Sequence, residues 1–149
     1  MNSLMEKAAR AEIVARLARL TPQSKRTWGK MDVSQVLPHL ADGLRMSLGD
    51  IAVKTPPHPL LSFPLMQYLI IHVLPWPKGK AKAPPETFTT KPVNLEHDRA
   101  ELLRLIERFA ATPPDKLAQV HAGFGRLTAR DWGVLMYRHL NHHLTQFGV

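Results

Sequence analysis

Apolar residues recur at helical spacing through most of the chain, and no run alternates as a strand would. Ala9, Ile13, Leu17 and Leu20 predict a short helix over residues 6–20, stopped by Thr21-Pro22. Asp32 follows as an N-cap, with Gln35 three residues on to complete a capping box. The helix it opens, 33–48, should end at Gly49 and bend at Pro38, immediately before His39. Residues 60–74 are apolar nearly all round, which predicts a core helix. Asn94 caps a further helix over 95–112, with Leu102, Leu105, Ile106 and Phe109 as its buried stripe. Thr128 and Asp131 form a second capping box at the head of the last helix, and AQVHAGFGRL before it reads as an irregular connector.

Four main helices and a short N-terminal one predict an all-α four-helix bundle. There is no internal repeat, and 149 residues suit one domain over 1–149. Residues 75–93, rich in Pro and Lys, exceed ordinary loop length. They suit either a functional lid or a strap over one side of the bundle.

The last helix carries the most informative chemistry. His139 and His143, four residues apart, project two imidazoles from one face about one turn apart. Trp132, Leu135, Met136 and Gln146 share that face, within roughly 100° of arc. The pair should therefore be buried, where an unpartnered polar ring costs free energy. A metal ion of the first transition series would satisfy both. His39, on another helix, is the candidate third ligand of an open three-histidine site.

Other polar residues have weaker claims. His142 points about 60° away on the helical wheel and suits a surface, substrate-contact or supporting role. His121, in the loop before the last helix, is a candidate acid/base at the bundle mouth, although a solvated loop histidine is the simpler account. His58, His72 and His97 lack spacing for shared chemistry. Asp42 and Asp131 could each orient an imidazole, or could be surface charge and cap. Gln146 lies near the histidine face and could donate a hydrogen bond to substrate. Nucleophile-elbow, Walker, Rossmann and HExxH motifs are all missing.

Composition narrows the classes further. The 44% hydrophobic and 21% charged content is that of a globular protein. Cysteine is absent, which excludes disulfides, thiolate ligands and a cysteine nucleophile and suits a reducing compartment. A charge of +8 raises nucleic acid or an acidic membrane as partners. The basic residues are dispersed, however, and Lys78, Lys80 and Lys82 lack interleaved aromatics, so nucleic acid is disfavoured. Residues 1–20 do not read as a signal peptide, and 59–77 fall short of a bilayer span. A cytoplasmic location without a membrane partner is expected, and exposed apolar content in the third helix leaves a homodimer open.

Three blocks carry a family resemblance: TPQSKRTWGKMDVSQVLPHLADGLRMSLG, VLPWPKGKAKAPPE and HAGFGRLTARDWGVLMYRHLNHHLTQFGV. With them the chain resembles the DinB-like (YfiT-like) superfamily of metalloenzymes, in a branch catalogued as a domain of unknown function. The resemblance implies a four-helix bundle with one early histidine and a late HxxxH pair holding a divalent metal, zinc or nickel. His39, His139 and His143 match those positions. Relatives include transferases that activate a low-molecular-weight thiol at the metal. The close here reads HHLTQ where that wider group has HHRGQ, so its Arg/Gly pair is missing. The expected function is a metal-dependent thiol transferase or hydrolase acting on a small molecule, with Lys78, Lys80 and Lys82 attracting an anionic substrate. The alternative is a non-catalytic bundle with structural histidines or a structural metal.

Overall fold

Helix α1 (Lys7–Leu17) buries Ala9, Ile13 and Leu17 in a computed structural model that describes residues 2–80 and 82–149. Arg16 fastens it to the far end of the chain, donating to the Asn141 side chain, Thr145 Oγ1 and the Val149 carbonyl.

Helix α2 (Val33–Ser47) opens on the predicted capping box. The Asp32 carboxylate accepts from the backbone N–H of Ser34 and Gln35, and Gln35 Oε1 accepts from that of Asp32. The helix runs through Pro38 without interruption. Gly49 follows its C-cap at φ +80°, the left-handed conformation that favours glycine there. Leu37, Leu40 and Leu44 are fully buried, each worth about 1.5–3 kcal/mol relative to exposure.

The third helix departs from expectation. Helix α3 (Pro64–Tyr68) starts with proline at its first turn and continues as a single π-helical turn, Leu69–Val73. Within it only Ile71 and His72 are buried, so it is not the core helix its apolar pattern predicts. Ten helical residues span about 15 Å, and this segment meets the rest of the protein chiefly through its π-helical end. Phe63, Leu65 and Tyr68 stand 58, 59 and 56% exposed.

Helix α4 (Leu95–Ala111) is capped by Asn94, which accepts from the His97 N–H, and buries Leu102, Leu105, Ile106 and Phe109 as predicted. The connector beyond it is more ordered than expected. Strands β1 (Val120–His121) and β2 (Gly125–Arg126) pair antiparallel, Val120 opposite Arg126, in a two-residue ladder too short for periodicity to reveal. Helix α5 (Ala129–Gln146) opens on the Thr128–Asp131 capping box and is buried over most of its circumference. It packs against α1, α2 and the π-helical turn, while α2 packs against α4 on its other side.

The fold is therefore mostly helical, with the core between α1, α2, α4 and α5. α1 is a full structural member, and the short helix of the set is α3. Of the Pro/Lys-rich connection, Ala81 lies outside the described residues. The rest forms a strap anchored at both ends. Trp76 Nε1 donates to the Ile70 carbonyl at one end. At the other, a 3₁₀ turn, Pro85–Phe88, packs on α2. Asp42, completely buried, accepts from the backbone N–H groups and hydroxyls of Thr89 and Thr90 and from Arg45. No described helix is long and apolar enough to cross a membrane.

Candidate metal centre

His39 leaves α2 where that helix faces α5, and its ring meets those of His139 and His143 at centroid separations of 4.7 and 5.0 Å. One ring nitrogen from each lies within 4.8 Å of the others, close enough for the three to hold a metal ion. Gly43, one turn along α2 from His39, makes the approach of α5 feasible. A Cβ at Gly43 would sit 3.2 Å from His139 Nδ1 and 3.3 Å from its Cε1.

Hydrogen bonds outside the cluster set the ring tautomers. His39 Nδ1 lies 3.0 Å from the carbonyl of Thr87 on the strap. A carbonyl can only accept, so Nδ1 carries the proton and Nε2 presents a lone pair. Gln146 does the same for His143. Its amide nitrogen donates to the Trp28 carbonyl at 2.8 Å, which fixes the direction of the amide. Its Oε1 then faces His143 Nδ1, also at 2.8 Å, and accepts that ring's proton. His39 Nε2 meets His139 Nε2 at 2.8 Å. Two bare lone pairs repel at that distance, so a proton or a cation must lie between them. A donor set of imidazoles, each held by an outer hydrogen bond or close packing, fits a transition-metal ion.

Electrostatics keep the rings neutral, as ligation requires. Burial is the main cause for each ring. It lowers the pKa of His39 against opposing help from the Thr87 carbonyl and Asp42. His139 is held well below the ordinary histidine range by burial and then by His39 and His143. His143 is lowered to about 3 by burial and by His39, with Gln146 opposing.

Loops supply the surroundings that helical periodicity did not reveal. Phe88 of the strap stacks on His39 at 4.8 Å. Trp28 meets His142 edge-on at 4.5 Å, and Trp76 lies 5.7 Å from the same ring. His142 is thus half-buried between two tryptophans, and burial, Arg138 and Lys78 lower its pKa. Gly29, at φ +78°, packs so tightly that a Cβ would fall 2.5 Å from Gln146 Nε2. The one signal for this wall is the Trp28-Gly29 pair, conspicuous in an otherwise polar loop.

The remaining candidates lie outside the three-histidine cluster. His121 is buried outside the cluster, and its Nδ1 accepts from the backbone N–H of Gly123 and Phe124. Burial lowers its pKa to about 4. Asp131 does orient an imidazole, but that of His72, at 2.7 Å. Asp42 is neither a histidine partner nor a surface charge. Burial alone would raise its pKa, yet hydrogen bonds from Thr90, Thr89 and Arg45 hold it below the usual carboxylate range. Gln146, placed near the site by sequence, is spent on His143 and Trp28 and is not aimed at a substrate.

No curated protein and no solved structure matches the chain. A family model described as a protein of unknown function matches residues 2–148, nearly the whole length, and the protein belongs to that family, DUF1569.

Proposed function

We propose that this protein binds one divalent metal ion, zinc or nickel, through Nε2 of His39, His139 and His143 and is a metal-dependent enzyme acting on a small molecule. The observation that carries the reading is the pair of outer hydrogen bonds, from His39 to Thr87 and from His143 to Gln146, which leave Nε2 of both rings as lone pairs. A hydrogen bond from His139 would use the lone pair on His39 alone, whereas a metal ion would use both. A divalent ion so held supplies Lewis acidity toward water or a low-molecular-weight thiol, which suits hydrolysis or thiol transfer. With no cysteine in the chain, a thiol must arrive as a co-substrate.

The protein's own groups would then bind and move protons. His39 and His143 are buried while His139 is only partly so, which leaves the His139 side for approach. His142 borders that side and is the first candidate to exchange a proton with substrate. His121 is the second, through Nε2, since its Nδ1 already accepts two N–H groups. Lys78 acts electrostatically on His142 and would favour an anionic substrate. We also read α1, α2, α4 and α5 as a single DinB-like four-helix bundle, working in the cytoplasm without nucleic acid.

A non-catalytic role, with a structural metal or structural histidines, draws support from Phe88, which covers one face of His39. Elemental analysis and a screen of thiol transfer and hydrolysis separate the two. Purified protein should carry close to one zinc or nickel per chain, lost in His139→Ala and His143→Ala. Metal-free protein whose thermal stability ignores added zinc and nickel would sink the proposal. Tight metal retention with no turnover of any substrate class would favour the structural role.

A further inference from the structure

We propose that α3 and the strap beside it form a docking surface for an anionic lipid bilayer. This surface does not involve the three histidines, although Lys78, one of its basic residues, also acts on His142 beside them. A segment too short to span a bilayer can still lie at its surface.

Phe63, Leu65, Tyr68, Val73 and Leu74 are all exposed along one short helical segment. Arg138 holds its π-helical end, donating to the carbonyls of Ile70, Ile71 and Leu74, and Gln67 ties its N-terminal half to the Phe124 and Arg126 carbonyls while Phe63, Leu65 and Tyr68 stay exposed. Exposed apolar side chains so concentrated mark an interaction site.

Charge identifies the occupant. Between Asp50 and Glu86 the chain has no acidic residue, and its charged residues there are Lys54, Lys78, Lys80 and Lys82. Glu86 is buried, accepting from Lys54 N, Thr55 N and Thr55 Oγ1. The neighbouring hairpin adds Arg126, whose carbonyl takes a hydrogen bond from Gln67. Nearby Asp131 is engaged by His72 and Thr128. An apolar segment followed by a lysine cluster is the composition of an interfacial anchor on acidic lipid. A second copy of the chain is the poorer occupant, because a two-fold interface presents the same patch from both sides and sets basic against basic.

Co-sedimentation with vesicles of phosphatidylcholine, alone or mixed with phosphatidylserine, tests this. The mixed vesicles should bind the protein and the neutral ones far less, with binding weakened by salt. At roughly fivefold per lysine, K78Q/K80Q/K82Q should lower binding on the order of 100-fold. F63S/L65S should also abolish it while leaving helicity unchanged by circular dichroism. Three results would overturn the proposal: no binding to mixed vesicles at low salt, binding that F63S/L65S retains in full, or a solution dimer that F63S/L65S splits.

Discussion

Two glycines with the same backbone conformation separate strain from site geometry. Gly29 and Gly49 lie at φ +78° and +80°. Alanine at either costs about 1–2 kcal/mol for the left-handed conformation. They differ in what a methyl group meets. At Gly49 nothing lies within 4 Å, whereas at Gly29 the new Cβ falls 2.5 Å from Gln146 Nε2. The amide must move, giving up its bond to Trp28 or to His143, and a buried group left unpaired costs about 1–3 kcal/mol. Gly29→Ala should therefore lose about 2–5 kcal/mol and Gly49→Ala about 1–2, the sum and the first part of the same terms. The difference corresponds to a melting temperature lower by on the order of 5 °C.

The functional consequence is sharper than the stability difference. Displaced from Trp28, the Gln146 amide no longer has a fixed direction with which to hold the His143 tautomer, and loss of such an outer partner weakens metal binding about 10–100-fold. Gly49→Ala should bind zinc as the wild type does. Thermal unfolding of the metal-free variants and zinc titration against a chromophoric chelator measure both quantities. Equal melting temperatures and equal zinc affinities for the two variants would refute the role given to Gln146.

Metal-free protein should weaken in mild acid. His121 and His143 titrate at about 4 and about 3 when folded but near 6.5 when unfolded. Below pH 6.5 the unfolded chain takes up protons that the folded one refuses, so stability falls as pH drops, by about 4 kcal/mol for this pair between pH 7.5 and 5. Denaturant midpoints that are flat over that range would contradict the neutral, buried state of the rings. Asp42→Ala removes the acceptor that fastens the strap and leaves Arg45 and two backbone N–H groups without it. A loss of about 3–5 kcal/mol is expected, with faster proteolysis within residues 75–93. Gly43→Ala gains about 1 kcal/mol of helix propensity but pushes on the His139 ring, so zinc affinity should fall roughly tenfold with little change in melting temperature. Unchanged affinity would mean that the ring has room to yield.

Much of the architecture was legible because it rests on local rules. Capping boxes at Asp32 and Thr128, the Asn94 cap, the Gly49 terminus and the stripe on α4 each depend on residues within one or two turns. His139 and His143 could be paired for the same reason, since four residues on a helix fix their relation. α3 defeated the same reasoning: an apolar pattern records that a surface avoids water, and says nothing of what covers it. The β1–β2 hairpin escaped because two residues have no period.

Local spacing fixed four of the helices, their buried faces, the caps at Asp32, Asn94 and Thr128, and a pair of imidazoles one turn apart. Tertiary structure decided what those rings would be to one another. His39 reaches His139 across α2 and α5 through the gap that Gly43 leaves, and Thr87 and Gln146 choose which nitrogen of two rings is bare. Those contacts join positions far apart in the chain, 48 residues for His39 and Thr87 and 118 for Gln146 and Trp28. Local spacing carries no information over such distances, and only packing brings a carbonyl to within a hydrogen bond of a ring.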